Sequence, residues 1–222
     1  MKKIAIYGAG GFGREVACLI KKINETYSER EFKGYIDDWK LIGFFDDGIK
    51  KGTKNEYGEV LGGIKEVNEF SEPLAIVIAI GNPRIVSKIV SNITNPNIEY
   101  PNLISPDLIY LDEDNVTLGK GNIISFGNII SCNVSIGNFN ILNWSNTIGH
   151  DVKIQDYNAF MPCVKISGEV SIGDRNFFGV GSTVLQQITI GDDTIIGANS
   201  LILRKTKNGM TYVGNPATIV NY

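Results

Sequence analysis

An apolar residue stands at every sixth position of this sequence over fifteen consecutive repeats. These core positions are Leu118, Ile124, Ile130, Ile136, Leu142, Ile148, Ile154, Phe160, Ile166, Ile172, Phe178, Val184, Ile190, Ile196 and Ile202. One step further in each direction lies a polar residue, Asp112 or Asn208, so the pattern has two ends. A period of six fits neither an α-helix nor an alternating strand, and it is typical of a parallel β-helix.

A second period, of eighteen residues, lies within the first. Two residues before each core position stands a smaller side chain, and these side chains form three columns: Val116, Val134, Val152, Val170 and Ile188; Asn122, Asn140, Asn158, Asn176 and Thr194; Asn128, Asn146, Val164, Ser182 and Ser200. Eighteen residues per coil and six per face predict a triangular prism of five coils, in which stacked asparagines bond along the axis. We expect the small residues that often follow a core position to form the tight corners. The glycines among them are Gly119, Gly137, Gly149, Gly173, Gly179, Gly191 and Gly197.

The first hundred residues have the pattern of a nucleotide-binding α/β domain. A short apolar strand, Lys3 to Tyr7, leads into the glycine-rich turn Gly8 to Gly13 and then into a helical pattern. The G-x-G-x-x-G spacing suits a phosphate at a helix N-terminus, although a tight turn also needs glycine for packing alone. The segment therefore predicts a Rossmann-like unit.

Two further strands bring loops to the same edge of that sheet. The strand Lys40 to Phe45 ends on Asp46 and Asp47, and the strand Leu74 to Ile80 ends on Gly81. Open α/β sheets bind ligands at the carboxyl ends of their strands, so we expect a nucleotide site there. Asp46 lies further from the turn than the roughly 20 residues typical of NAD-binding units, which disfavours NAD. We expect helices from Ile64 to Phe70 and from Pro83 to Ile93.

Composition excludes several other classes. The net charge of −3 and the pI near 5.3 give no sign of nucleic-acid binding. No apolar run reaches the length of a membrane span, and the start of the chain lacks the pattern of a signal peptide. Three cysteines cannot all pair, and no metal-ligand spacing occurs. We expect a cytoplasmic protein without a metal, with four segments: a Rossmann-like domain (1–100), a linker (101–112), a β-helix (113–205) and a tail (206–222).

The most informative polar residue is His150, the only histidine of the chain. It lies two residues after a core position, at a predicted corner, and is followed by Asp151. An imidazole there suits a general base near neutral pH. Gly168 lies one coil later, leaving room for a ligand and offering an N–H group to an oxyanion. Cys132 lies one coil earlier, so a Cys/His nucleophile is an alternative, although the sequence supplies no third member.

These features carry a resemblance to known enzymes. The repeat resembles the left-handed β-helix hexapeptide acyltransferases. The whole chain resembles the bacterial nucleotide-sugar acetyltransferases typified by the bacillosamine-pathway enzyme, in the glycine-rich turn, Asp46-Asp47, Ile80-Gly81-Asn82 and Gly214-Asn215-Pro216-Ala217. The resemblance implies an N-terminal Rossmann-like domain, a left-handed β-helix, a homotrimer and acetyl-CoA as co-substrate. It also implies transfer of acetyl to the amino group of a nucleotide-linked 4-amino-4,6-dideoxy sugar.

The resemblance also implies roles for particular residues. His150 would be the general base, Asp151 would orient it, and Asn143 matches an amide of the active-site neighbourhood. The implied coenzyme contacts are Gly168, Val180, Gly197 and Ala198. The implied nucleotide contacts are Gly10, Gly11, Phe12, Asp46, Asp47 and Gly81. The chain departs from the best-known member at Ala159 and Phe12, which stand where that enzyme has histidines.

Three alternatives follow from the same residues. Acetylation of a hydroxyl group, on a sugar or on a small alcohol such as serine, would use the same base, but serine needs no nucleotide-binding domain. A non-catalytic nucleotide-binding scaffold is a second reading, and an intact His150 opposite Gly168 argues against it. A dehydrogenase is disfavoured because the prism offers no second domain for hydride transfer.

Overall fold

The computed structural model describes residues 1–29 and 39–220, without the side chains of 27–29, and forms two compact units. The first unit comprises residues 1–81 and 85–106, and the second comprises residues 82–84 and the chain from 107 onward. The last two residues of the predicted tail, 221 and 222, lie outside the described residues.

The first unit is built on a six-stranded sheet. Its strands are β1 (Lys2–Tyr7), β2 (Trp39–Phe45), β3 (Lys54–Asn55), β4 (Gly58–Gly62), β5 (Leu74–Ile78) and β6 (Ile98–Glu99). The sheet order is β3-β4-β2-β1-β5-β6, and all neighbouring pairs are parallel except the β3–β4 hairpin. All five residues of β5 are buried, as a continuous apolar run in a parallel sheet requires.

In the described part of the chain, three helices accompany this sheet: α1 (Gly11–Glu29), α2 (Ile64–Asn68) and α3 (Pro83–Asn92). The apolar stripe of α1, including Val16, Leu19 and Ile23, is at most 3% exposed. Three elements are shorter than predicted, and of these α3 lacks only the final residue, Ile93. α2 ends before Glu69, which caps it by bonding back to Lys65, and β5 ends where the chain reaches the close approach to Gly8. None of the helices in the described residues has the length and apolar character needed to span a bilayer.

The loops after β1, β2 and β5 converge at one edge, as predicted, and the loop after β4, which was not predicted, joins them there. The Gly8 amide donates to the Phe45 carbonyl at 2.7 Å, and the Asp46 amide donates to the Gly62 carbonyl at 2.8 Å. The Ala79 amide donates to the Tyr7 carbonyl at 2.8 Å. Backbone bonds therefore fix the relative positions of these loops.

After β6, short strands follow one another as far as Val220. They are β7 (Leu103–Ile104), β8 (Ile109–Tyr110), β9 (Val116–Leu118), β10 (Ile123–Ile124), β11 (Ile129–Ile130), β12 (Val134–Ile136), β13 (Ile141–Leu142), β14 (Thr147–Ile148), β15 (Lys153–Ile154), β16 (Ala159–Phe160), β17 (Lys165–Ile166), β18 (Ser171–Ile172), β19 (Phe177–Phe178), β20 (Thr183–Val184), β21 (Thr189–Ile190), β22 (Ile195–Ile196), β23 (Leu201–Ile202), β24 (Thr211–Gly214) and β25 (Ala217–Val220).

The strands of the second unit stack into three parallel faces. Face 1 contains β9, β12, β15, β18 and β21; face 2 contains β10, β13, β16, β19, β22 and the β24–β25 hairpin; face 3 contains β8, β11, β14, β17, β20 and β23. From β9 to β23, neighbouring strands of a face pair at a spacing of eighteen residues, for example Ile136 with Ile154 and Ile154 with Ile172. The second unit is thus the predicted three-faced parallel β-helix.

The core of this prism contains the side chains of the six-residue period. All core positions from Ile124 to Ile202 are buried, and Phe160 stacks on Phe178 with ring centroids 4.5 Å apart. Beside them runs the predicted amide ladder. The Asn122 side-chain oxygen accepts from the Asn140 backbone at 2.8 Å, and the same bond repeats up the column to Thr194. Because these buried amides bond along the axis, their polar groups keep hydrogen-bond partners inside the core.

The expectation about corner glycines is wrong. The left-handed backbone conformation lies three residues after each core position from Leu118 to Ile196, not one, and most residues there are not glycine. These positions are Gly121, Gly127, Asn133, Phe139, Ser145, Asp151, Tyr157, Cys163, Glu169, Arg175, Gly181, Gln187, Asp193 and Asn199. The glycines next to the core instead allow neighbouring coils to approach closely: a Cβ on Gly149 would lie 2.6 Å from the Gly168 nitrogen.

The residues two after each core position line the three edges of the prism. We name these edges the Asx corner (Lys120, Asn138, Asp156, Asp174, Asp192), the Val180 corner (Phe126, Trp144, Pro162, Val180, Ala198) and the His150 corner (Cys132, His150, Gly168, Gln186, Arg204). At the Asx corner, each backbone N–H donates to the side-chain oxygen of the next coil, over distances of 2.7 to 3.1 Å. This second ladder joins the coils along one edge.

Candidate active site

The glycine-rich turn contains glycines that the fold requires and glycines that it does not. A Cβ on Gly8 would lie 2.6 Å from the Ala79 carbonyl oxygen, and a Cβ on Gly13 would lie 1.9 Å from the Gly8 carbonyl oxygen. A Cβ on Gly10 or Gly11 would meet no atom within 4 Å. Packing therefore explains Gly8 and Gly13, whereas Gly10 and Gly11 border open space at the start of α1, where helical N–H groups lack partners.

The Asp46 carboxylate is bonded to the turn itself, a contact that the sequence did not reveal. One oxygen accepts from the Ala9 backbone N–H at 2.8 Å, and the other accepts from the Gly48 N–H at 2.8 Å. Asp46 therefore fixes the glycine-rich turn against the loop that follows β2. A role in ligand contact, as predicted, would be additional to this structural one.

Asp47 has a similar double use. One oxygen accepts from the Ile64 N–H at 2.9 Å, and the other accepts from the Tyr7 hydroxyl at 2.5 Å. Tyr7 is 1% exposed, and its burial, followed by the bond to Asp47, raises the pKa of its hydroxyl. The hydroxyl therefore stays protonated and keeps donating to the carboxylate.

An open cavity of about 280 Å³ lies beside these carboxylates. Its lining includes Asp46 and Asp47 together with Lys51, Lys65 and Glu66. Lys51 and Lys65 are cations that sequence reasoning missed, because nothing in their spacing distinguishes them from surface lysines. Gly81 follows β5, the neighbour of β1, and Phe12 is half-buried in the first turn of α1. The predicted nucleotide contacts thus fall at one edge of the sheet.

His150 forms the best-defined polar pair of the second unit. Its Nδ1 lies 2.8 Å from an Asp151 carboxylate oxygen, and its side chain is 55% exposed. The bond to His150, followed by one from Asn133, holds the pKa of the Asp151 carboxyl below its ordinary value. An ionised carboxylate favours a proton on Nδ1 and leaves the lone pair of Nε2 available, as a general base requires.

Gly168, one coil later, lies directly against the imidazole. A Cβ on Gly168 would lie 2.4 Å from Nε2 and 2.6 Å from Cε1 of His150, so any side chain there would displace the ring. The Gly168 N–H donates no hydrogen bond within the described residues, although the residue is buried. Base and free N–H donor therefore belong to neighbouring coils of one corner.

The other candidates lie elsewhere on the prism. Val180 and Ala198 stand one coil apart on the exposed Val180 corner, with Gly197 beside them. Asn143, next to the same corner, is 8% exposed, and its side-chain oxygen accepts from the Trp144 N–H at 2.9 Å. Each of these residues is one face of the prism away from the His150 corner.

Cys132 and Ala159 complete the inventory of predicted positions. Cys132 is exposed, and within the described residues its sulfur accepts from the Ser131 hydroxyl at 3.9 Å rather than bonding to the imidazole. Ala159 is buried in β16 and paired with Ile141 and Phe177. The described residues contain no group of three His, Cys, Asp or Glu side chains that could hold a metal ion.

Two family models match the chain. Residues 3–93 match the PglD N-terminal domain, and residues 169–204 match the bacterial transferase hexapeptide, a model of six repeats. No curated protein matches the chain at a significant level. The first unit is therefore similar to the PglD N-terminal domain over nearly its whole length, and part of the second unit is similar to the hexapeptide repeats of bacterial transferases.

Solved structures match over the whole length. The acetyltransferase domain of PglB from Neisseria gonorrhoeae FA1090, in complex with acetyl coenzyme A, is 28% identical, with a TM-score of 0.83 and 99% of each chain covered. WeeI from Acinetobacter baumannii AYE is 28% identical, with a TM-score of 0.84, over 99% of this chain and 100% of that one. PerB from Caulobacter crescentus, in complex with CoA and GDP-perosamine, is 24% identical, with a TM-score of 0.78, over 100% and 98%.

These matches confirm the predicted fold class and the resemblance to hexapeptide-repeat sugar acetyltransferases. They also confirm the predicted class of enzyme, an acetyltransferase. The similarity to PerB, at its lower identity, shows the fold alone. The roles of individual residues stay predictions.

Proposed function

We propose that this chain transfers the acetyl group of acetyl-CoA to the amino group of a nucleotide-linked 4-amino-4,6-dideoxy sugar. The observation that carries the proposal is the His150–Asp151 pair, in which Nε2 of the imidazole faces Gly168. The acetyl-CoA complex of the gonococcal PglB domain, which is similar over nearly the whole chain, supports the choice of co-substrate.

The proposed reaction uses His150 as general base. The neutral amine attacks the thioester carbonyl carbon, a C–N bond forms, and Nε2 of His150 accepts the amine proton. The C–S bond then breaks, the sulfur of CoA leaves as a thiolate, and the imidazolium returns the proton to it. Asp151, bonded to Nδ1, stabilises the positive charge that His150 carries between the two steps. A positioned base of this kind accelerates a reaction by about 10²- to 10⁴-fold.

Gly168 would stabilise the negative charge on the carbonyl oxygen. Its N–H has no acceptor among the described residues, so it is available as an oxyanion donor without first breaking a bond. A donor that is fixed before the reaction needs no reorganisation when charge develops. The absence of a side chain at Gly168 also keeps the imidazole in place.

The nucleotide of the substrate would bind to the first unit. Gly10 and Gly11 give open access to the N-terminus of α1, where a phosphate is favoured. The neighbouring cavity adds the cations Lys51 and Lys65 to the two aspartates. The GDP-perosamine complex of PerB gives an example of a nucleotide sugar bound by a protein of the same fold.

The predicted coenzyme residues favour a homotrimer. Gly168 belongs to the His150 corner, whereas Val180, Gly197 and Ala198 lie at the Val180 corner, one face away. If two copies placed these different corners side by side, one coenzyme would contact both sets. Closed symmetric assembly is the usual form of such oligomers. Cytoplasmic location stays a prediction.

A coupled assay tests the function. Purified protein is incubated with acetyl-CoA and a panel of GDP-, UDP- and dTDP-linked 4-amino sugars. The thiol of the released CoA is measured, and the mass of the product is determined by mass spectrometry. We expect thiol release together with a sugar that gains one acetyl group, stable to mild base as an amide is. A base-labile product would indicate O-acetylation instead, and binding without thiol release would indicate a scaffold.

The substrate assignment has its own test. Gly10→Val adds a side chain where the fold leaves room, so the domain should still fold while access to the start of α1 is obstructed. We expect a higher KM for the nucleotide sugar with an unchanged KM for acetyl-CoA. A change confined to acetyl-CoA would contradict the assignment of ligands to the two units.

A further inference from the structure

A column of four polar side chains rises beside His150 at the left-handed corner positions. Asn133, Asp151, Glu169 and Gln187 follow one another at intervals of one coil. The Asn133 side-chain amide donates to Asp151, and the Gln187 amide donates to both oxygens of Glu169 at 3.3 Å each. Two stacked carboxylates are thus enclosed by two amide donors.

The bond from Asn133 completes a two-point fixation of Asp151. One Asp151 oxygen, Oδ2, faces Nδ1 of His150, and the other, Oδ1, accepts from the Asn133 amide. The Asp151 side chain is 46% exposed, so packing alone does not set its rotation. A carboxylate held at both oxygens keeps one orientation, whereas one held by a single bond can turn toward water.

Asn133 and His150 hold different oxygens of this carboxylate. Asn133 lies one coil below Asp151 and donates to the oxygen that does not face His150. The positive charge of Lys153, two residues further along the chain, also favours the ionised form of Asp151 and so helps to hold the pKa of its carboxyl below the ordinary value.

We propose that Asn133 is a positioning residue for the acetyl transfer: it fixes the Asp151 carboxylate, which in turn holds the His150 ring with its proton on Nδ1 and its lone pair on Nε2. This inference rests on the proposed function and adds a residue to it. Asn133 acts through Asp151 and does not touch the reacting atoms. The Asn133 amide positions the Asp151 carboxylate, the carboxylate positions the His150 imidazole, and the imidazole accepts the proton of the substrate amine.

The test uses Asn133→Gly in the full chain. Asn133 has a φ of 55°, and glycine adopts that conformation without strain, so the variant removes the amide and keeps the backbone. Gln187→Gly is the matched control, because Gln187 occupies the same column with a φ of 61° and its amide serves Glu169 instead of Asp151. Asn133→Asp is the third variant, since it replaces the donor with a charge that repels Asp151.

The first readout is kinetic. We expect Asn133→Gly to lower kcat by about tenfold to a hundredfold with little change in KM, because an orienting partner acts on the geometry of the reacting group. Asn133→Asp should lower kcat further, and Gln187→Gly should stay within about twofold of the original protein, the scatter expected of a residue outside the pair. Equal losses in Asn133→Gly and Gln187→Gly would overturn the proposal, since they would show a general effect of the corner.

The second readout does not depend on activity. Because the chain has a single histidine, ¹⁵N NMR of histidine-labelled protein reports the proton position on one imidazole. We expect the Nδ1–H form to dominate in the original protein and in Gln187→Gly, and the Nε2–H form to increase in Asn133→Gly. An unchanged Nδ1–H population would overturn the positioning role even if the enzyme acetylates sugars. Conversely, if Asn133→Gly increased the Nε2–H form but the original protein acetylated no sugar, the proposed function alone would be refuted.

Discussion

The Asx corner and the His150 corner have the same backbone and opposite uses. Both turn the chain through a left-handed residue three positions after the core. At the Asx corner, the backbone N–H of each of the five corner residues donates to a side-chain oxygen of the next coil. At the His150 corner the equivalent N–H groups of His150 and Gly168 have no acceptor within the described residues.

The difference shows how one repeat provides both stability and a site. A short carboxylate or amide at the corner position accepts a hydrogen bond from the backbone N–H of the preceding coil and so links the two coils. Where imidazole and glycine occupy that position, the donor stays available to a ligand and the base stands beside it. Changing side chains at one edge of a regular prism is therefore enough to convert a structural corner into a candidate active site.

Removing the base should give the largest effect. We expect His150→Ala to fold normally and to lose about 3–5 kcal/mol of transition-state stabilisation, the equivalent of a 10²- to 10⁴-fold lower kcat. The KM values should change little, since the proton moves only as the new bond forms. Steady-state kinetics of CoA release measures both constants.

Lys120→Ala is the matched control for that variant, because Lys120 holds the equivalent position on the Asx corner and is exposed. It should keep the original kcat. If His150→Ala retained more than a tenth of the original kcat, the imidazole would be structural and Asp151 would be the next base to test.

Adding one methyl group against the imidazole should give the next largest effect. In Gly168→Ala the new Cβ would overlap the imidazole, so the ring must move and kcat should fall by about tenfold to a hundredfold. The double variant His150→Ala/Gly168→Ala separates this contact from any other. Because the ring is then absent, Gly168→Ala should cause no further loss of kcat or of unfolding temperature in that background. An additional loss would show that the methyl group disturbs something other than His150.

The contrast between the corners also explains how far the sequence could be interpreted. The six-residue period identified the core, because a large side chain must point inward once per face. The left-handed positions escaped prediction because stacking between coils imposes them on residues as different as Phe139, Glu169 and Arg175. In the first unit, the sequence placed Asp46 at the ligand edge but could not show that the Ala9 amide already binds it. Asn133 could have been found by counting one coil back from Asp151.

Breaking the Asx ladder should affect stability without affecting catalysis. In Asp174→Ala the Asp156 N–H loses its acceptor, and we expect the free energy of unfolding to fall by about 1 kcal/mol, a typical value for one lost hydrogen bond. Asp174→Asn is the matched control, because the amide retains the accepting oxygen. Urea denaturation should therefore place Asp174→Asn close to the original protein and Asp174→Ala below it, with kcat unchanged in both. A loss of kcat in Asp174→Ala would mean that the two corners are not independent.

The smallest effect should come from the ion pair at the Asx corner. Arg175 donates to both oxygens of Asp193, at 3.2 and 3.0 Å, and this guanidinium holds the pKa of the Asp193 carboxyl below its ordinary value. Because the folded-state pKa is the lower one, the pair stabilises the fold above the unfolded pKa of about 3.9 and ceases to do so as the pH falls through the folded value.

Asp193→Asn keeps a side chain that tolerates the φ of 55° but cannot ionise, so its free energy of unfolding should vary less between pH 6 and about pH 3. The difference between the two proteins at neutral pH should be under about 1 kcal/mol, since the pair is partly exposed. Urea midpoints across that pH range measure it, and a difference that stays constant with pH would show that the charge of Asp193 does not contribute to the stability of this corner.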